Sequence, residues 1–87
     1  MNDDSLLQFP CDFPIKVMGR GDSGFRALVM DLVRRRAPDL DETRVRVQNS
    51  RAGRYQSVTV VVNARARAQL DAIYQDLSGH PQIKLVL

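Results

Sequence analysis

From Phe13 to Met18 the chain alternates, with Phe13, Ile15 and Val17 on one face and Pro14, Lys16 and Met18 on the other. A period of two predicts a half-buried strand. Pro14 fits such a strand only near its start or on the free side of an edge. The period then changes: Phe25, Leu28, Val29, Leu32 and Val33 recur at helical spacing, which predicts an amphipathic helix. Pro38 ends it at about residue 36 or 37. Val45 and Val47 alternate with Arg44, Arg46 and Gln48 as a second strand, and Tyr55 to Asn63, rich in β-branched residues, is a third. Its more apolar face, Val58, Val60 and Val62, is the expected core face; Tyr55, Ser57, Thr59 and Val61 point the other way. Ala66, Leu70, Ile73, Tyr74 and Leu77 form a second helical stripe, with Asn63 as its expected N-cap and Gly79 at its C-terminal end. Beyond Pro81, Ile83, Leu85 and Leu87 alternate with Lys84 and Val86 in a last strand.

The segments between are turn chemistry. GRGDSG at 19–24 is a glycine loop whose Asp22 or Ser23 is the expected cap of the first helix, PDLDE is an acidic connection, and NSRAGR is a turn with Gly53 as its positive-φ residue. The order β-α-β-β-α-β predicts an α+β, ferredoxin-like domain: a four-stranded antiparallel sheet with two helices on one face. Residues 1–12 are expected to be a flexible N-terminal tail, and residues 13–87 a single domain.

Composition narrows the classes. In 87 residues there is no room for a second core. The single cysteine, Cys11, allows no internal disulfide, and with one histidine, His80, it offers no metal-ligand set. The start, MNDDSLLQF, lacks the apolar run of a secretory signal or a membrane span, so a cytoplasmic protein is expected. Neither a cofactor site nor a catalytic set is expected: Ser23 and Ser57 have no plausible base.

Charge adds more. Thirteen Lys+Arg against ten Asp+Glu leave a formal +3. Arg34, Arg35 and Arg36 suit the C-terminal end of a helix dipole, with Asp31 and Arg35 spaced as an ion pair. Arg65 and Arg67 fall at the start of the second helix, where the dipole disfavours them, and are expected to extend into solvent. Lys16, Arg44, Arg46 and Lys84 share the outward parity of three strands, which predicts a basic patch on the sheet face away from the helices. A face of this kind can hold RNA, but such binders stack bases on central aromatics, and here only Tyr55 lies on that side, so nucleic acid is disfavoured.

The glycine loop can cradle an anionic ligand on its amides, although Asp22 already supplies negative charge to the helix start. An enzymatic alternative rests on resemblance to acylphosphatases, which share this fold and size. The sequence has GRGDSGFR, with Arg20 and Arg26, and VQNSRAG, with Asn49. An arginine and loop amides could hold a phosphate while Asn49 oriented water. The loop lacks that family's QGV core, and Asp22 would repel the substrate.

As a whole the chain resembles the YbeD-like family of small bacterial proteins. The resemblance is carried by LLQFPCDFPIKVMG at 6–19, RAPD at 36–39, SRAGRYQSVTV at 50–60 and YQDLSGHPQIKLVL at 74–87. It implies a ferredoxin-like fold close to ACT-type regulatory domains and a lipoate-related regulatory role, with no catalytic residues attached. ACT-type domains bind small metabolites, often amino acids, near the loop after the first strand. By position that implies Gly19, Arg20, Gly21 and Asp22, with Arg20 as the cation for a lipoate or amino-acid carboxylate. The expected function is therefore a non-enzymatic regulatory domain that binds a small metabolite or a protein in trans. Its open sheet faces and edges are compatible with a homodimer.

Overall fold

The computed structural model describes residues 7–87. The strand β1 (Cys11–Arg20) leads to the helix α1 (Phe25–Arg34), a 3₁₀ turn (Glu42–Arg44), β2 (Arg46–Asn49), β3 (Tyr55–Ala64), α2 (Arg67–Ser78) and β4 (Ile83–Val86). The sheet order is β2-β3-β1-β4, antiparallel at each pairing, so this is the ferredoxin-like α+β arrangement.

The core lies between the sheet and the two helices. Ile15 and Val17 of β1 and Val58, Val60 and Val62 of β3 are completely buried, and they meet Phe25, Val29 and Val33 of α1 and Leu70, Ile73 and Leu77 of α2. Full burial of such side chains contributes about 1.5–3 kcal/mol each, which is why alternation selected the right face of β3. Pro14 sits in a central strand without cost. Lys16 exchanges both backbone bonds with Leu87, so its N–H faces the β4 side. Two residues earlier, the position of Pro14 faces the same side, beyond the stretch of β1 that β4 pairs.

Several boundaries differ from the sequence expectation. The strand β1 starts at Cys11 rather than Phe13, with Cys11 opposite Ala64, and Phe9 packs against the core, so the part of the expected tail at 7–12 is partly docked. Residues 1–6 of that tail lie outside the described residues. Gly24 is the N-cap of α1, and Asp22 acts one step earlier, accepting the Gly24 N–H at 2.9 Å. Asn63 stays in β3 and does not cap α2; Ala66 takes the cap position. There the Gln69 side chain, at the third helical position, reaches back to accept the N–H of Arg65, one residue before the cap, at 2.8 Å.

The largest difference is in β4. Val17 pairs with Val86 and Met18 with Leu85, but Gly19 pairs with Ile83, so Lys84 occupies a bulge. One extra residue reverses the facing of everything beyond it. Ile83 therefore points into the core, Val86 packs partly against it, and Leu85 and Leu87 turn outward at 47% and 59% exposure.

Candidate functional site

The two sequence-derived candidates, the glycine loop and the basic sheet face, fare differently in three dimensions. In the loop, Gly19 is a buried strand residue. A Cβ added there would come within 2.4 Å of the Phe25 ring and 2.5 Å of the Gln82 carbonyl oxygen. Gly21 lies against the β2–β3 hairpin and donates its N–H to the Arg54 carbonyl at 3.0 Å. The Asp22 N–H goes to the Arg20 carbonyl at 3.1 Å, and the Asp22 carboxylate takes the Gly24 N–H. The amides that would cradle an anion are thus engaged in closing the turn. Strand alternation sends the Arg20 side chain, opposite Tyr55, to the sheet face away from the helices.

The enzymatic pair is not brought together. The register sets Asn49 opposite Gln56, on the helix side of the sheet, and the Gln56 amide donates to Asn49 Oδ1 at 2.9 Å. Arg20 is on the other side, and Arg26 is paired with Glu42 at 3.4 Å. Among the described residues no group of three or more His, Cys, Asp or Glu side chains gathers at one place. His80 holds its own turn, its Nδ1 accepting the Gln82 N–H at 3.2 Å.

Among the described residues no helix or loop covers the outer sheet face. Its side chains form rungs across the strands: Arg46–Thr59–Lys16, then Gln48–Ser57–Met18–Leu85, then Tyr55–Arg20. Leu87 extends the first rung through its backbone bonds to Lys16. Two depressions flank the first rung. One, of about 190 Å³, is lined by Lys16, Met18, Gln48, Tyr55 and Ser57 among others; the other is a trough of about 350 Å³ lined by Thr43, Arg44, Arg46, Thr59 and Val61. The first is below the ~300–1,000 Å³ of small-molecule pockets, and several residues lining both are exposed.

Of the four cations expected on this face, Lys16 and Arg46 are there, on either side of Thr59. Arg44 also borders the face, but from the 3₁₀ turn rather than a strand: it lines the trough beside Arg46 and pairs with Asp12 at 3.0 Å, which together with a hydrogen bond from Asn63 holds the Asp12 carboxyl below its ordinary pKa. Lys84 sits at the bulge on the far edge. Arg20 joins the face unforeseen, because the glycine-rich sequence around it reads as loop while the chain is still a strand. The hairpin between β2 and β3 carries two further cations, Arg51 and Arg54.

Ion pairing separates the two layers. The Arg26 and Arg34 side chains share Glu42, Arg35 meets Asp31 at 2.9 Å, Arg36 meets Asp76 at 2.9 Å, Arg65 meets Asp39 at 3.1 Å and Arg67 meets Asp71 at 3.5 Å. Arg65 and Arg67, expected to extend into solvent, are thus ion-paired. By contrast Lys16, Arg20, Arg46, Arg51, Arg54 and Lys84 have no ion partner among the described residues. Asp12 is the single described side-chain carboxylate on the outer face; the others lie on the helices or in the connections beside them.

Fold and surface together define a small ferredoxin-like domain with one open, cationic sheet face. Residues 4–87 match the family described as a protein of unknown function, DUF493. The chain is 45% identical over 87 residues to a UPF0250 protein of Nitrosomonas europaea, covering 100% of both chains. It is 46% identical over 82 residues to a UPF0250 protein of Chromobacterium violaceum, covering 94% of this chain and 92% of that one. The solution structure of protein HP0495 from H. pylori superposes with a TM-score of 0.72 at 15% identity, covering 100% of this chain and 94% of that one, a likeness of fold alone. The chain belongs to the DUF493/UPF0250 family, the YbeD-like group that its sequence resembles. No helix among the described residues is long and apolar enough to cross a membrane.

Proposed function

We propose that this protein is a non-enzymatic regulatory domain of the cytoplasm that acts in trans on another macromolecule, with the open sheet face as its contact surface. The observation that carries this reading is the segregation of charge: among the described residues, Lys16, Arg20 and Arg46 have no ion partner on a face that no described element covers, while the helix layer neutralises its own arginines. Surfaces with unmatched charge of one sign steer and orient oppositely charged partners.

The small-metabolite form of the regulatory reading has weaker support, because the amides of Gly21 and Asp22 and the carboxylate of Asp22 are already engaged. Thermal-shift measurements with lipoate, octanoate and the common amino acids are expected to show no stabilisation at millimolar concentration; a shift abolished by Arg20→Ala would restore the loop as the site. Benzoyl phosphate is expected not to turn over, and turnover lost in Asn49→Ala would overturn the non-enzymatic reading. For the surface itself, amide spectra of the isotope-labelled protein in bacterial extract should lose intensity at outer-face residues such as Lys16, Arg46 and Thr59. Losses confined to the helix layer, or none, would refute it.

A further inference from the structure

We infer that the outer sheet face receives an acidic, amphipathic segment of another protein, with carboxylates along one side and aliphatic side chains along the other. This rests on the reading of that face as the contact surface and names the chemistry of what it contacts. The face is apolar at its β4 edge, where Leu85 and Leu87 lie, and cationic across the rest: β1 carries Lys16 and Arg20 on either side of Met18, and β2 carries Arg46. The bulge at Lys84 creates this division, since uninterrupted alternation would have buried Leu85 and Leu87. Instead both leucines are about half exposed beside Met18, where their hydration is unfavourable until something apolar covers them. Four strands at a spacing of ~4.8 Å make the face roughly 14 Å wide, enough for one helix of about 10–12 Å diameter.

Charge and shape set aside the other occupants. A second copy docked face to face would bring two unpaired cationic patches into one interface, with Asp12 as the only described side-chain carboxylate on each face to offset them. A single-stranded nucleic acid would match the cations but would find one aromatic, Tyr55, at the end of the face rather than a stacking platform. It would also leave the aliphatic side without a use. A segment bearing both carboxylates and aliphatic residues satisfies both halves of the surface.

The test uses the whole chain and a short fluorescent helix-forming peptide with rows of Glu and Leu on opposite flanks. Salt-sensitive binding is expected, with amide shifts at Lys16, Met18, Arg46, Thr59 and Leu85. The double variant Lys16→Glu/Arg46→Glu should weaken it by at least about tenfold, and Leu85→Ser by a smaller factor, with amide spectra confirming that both variants fold. Equal binding of the peptide with Gln for Glu, or no binding of either peptide, overturns the inference. Tighter binding of a short single-stranded RNA at the same residues, or concentration-dependent shifts of the free protein there, also overturns it while leaving the face as the contact surface. Peptide shifts confined to α1 and α2 would count against both.

Discussion

Glycine acts for different reasons at positions that look alike in GRGDSG. At Gly19 a methyl group would collide with the Phe25 ring and with a backbone oxygen that cannot swing aside. Gly19→Ala is expected to destabilise the protein by about 1–3 kcal/mol in urea denaturation, the usual cost of overpacking. At Gly24 the nearest atom to an added Cβ is the Asp22 carboxylate at 3.6 Å, and φ is −98°, which any residue adopts. Because Gly24 is the N-cap of α1, where alanine is disfavoured, Gly24→Ala should cost about 0.5–1 kcal/mol, less than Gly19→Ala. The glycines were legible in sequence as a break in pattern. Which of them is a packing requirement was not, because Phe25 and Gln82 reach Gly19 only through the fold.

At the scale of elements, the ion pair between Arg36 and Asp76 joins the end of α1 to α2. Arg36 holds the Asp76 carboxyl below its ordinary value of 3.8, chiefly by hydrogen bonding. A depressed folded value means that the contribution is full above the unfolded range and is lost as pH falls through the folded value. Asp76→Asn should accordingly lower Tm at neutral pH, and the gap from the wild type should close in acid; a gap that persists there would assign the effect to packing. The bulge in β4 makes a second prediction at this scale. Ile83→Ala should cost about 2–5 kcal/mol, because Ile83 is in the core. Leu85→Ser should stay within about 0.5 kcal/mol, because Leu85 faces solvent. Alternation alone would assign both to the core, and denaturation of the two variants distinguishes the registers.

For the whole molecule, the formal charge of +3 understates the field at one surface. The helices and their connections carry nearly all the described carboxylates and match most of them with arginines, which leaves the excess on the sheet. Retention on a cation exchanger should fall more on Lys16→Glu or Arg46→Glu than on Arg35→Glu, whose guanidinium is already matched by Asp31. Equal losses would show that the surface charge is evenly spread.

Element order, the core face of β3 and the pairing of Asp31 with Arg35 follow from the sequence by itself, because each depends on periodicity or on spacing within one element. The shared outward parity of Lys16 and Arg46 has the same origin. What lay beyond that reading depends on residues far apart in the chain. Asp12 takes Arg44 across 32 positions, Glu42 takes Arg26 across 16, and β4 meets β1 through a bulge that turns its leucines outward. Register and long-range ion pairing are settled when strands and helices dock, so only the tertiary structure decided which cations are left free and what apolar surface lies beside them.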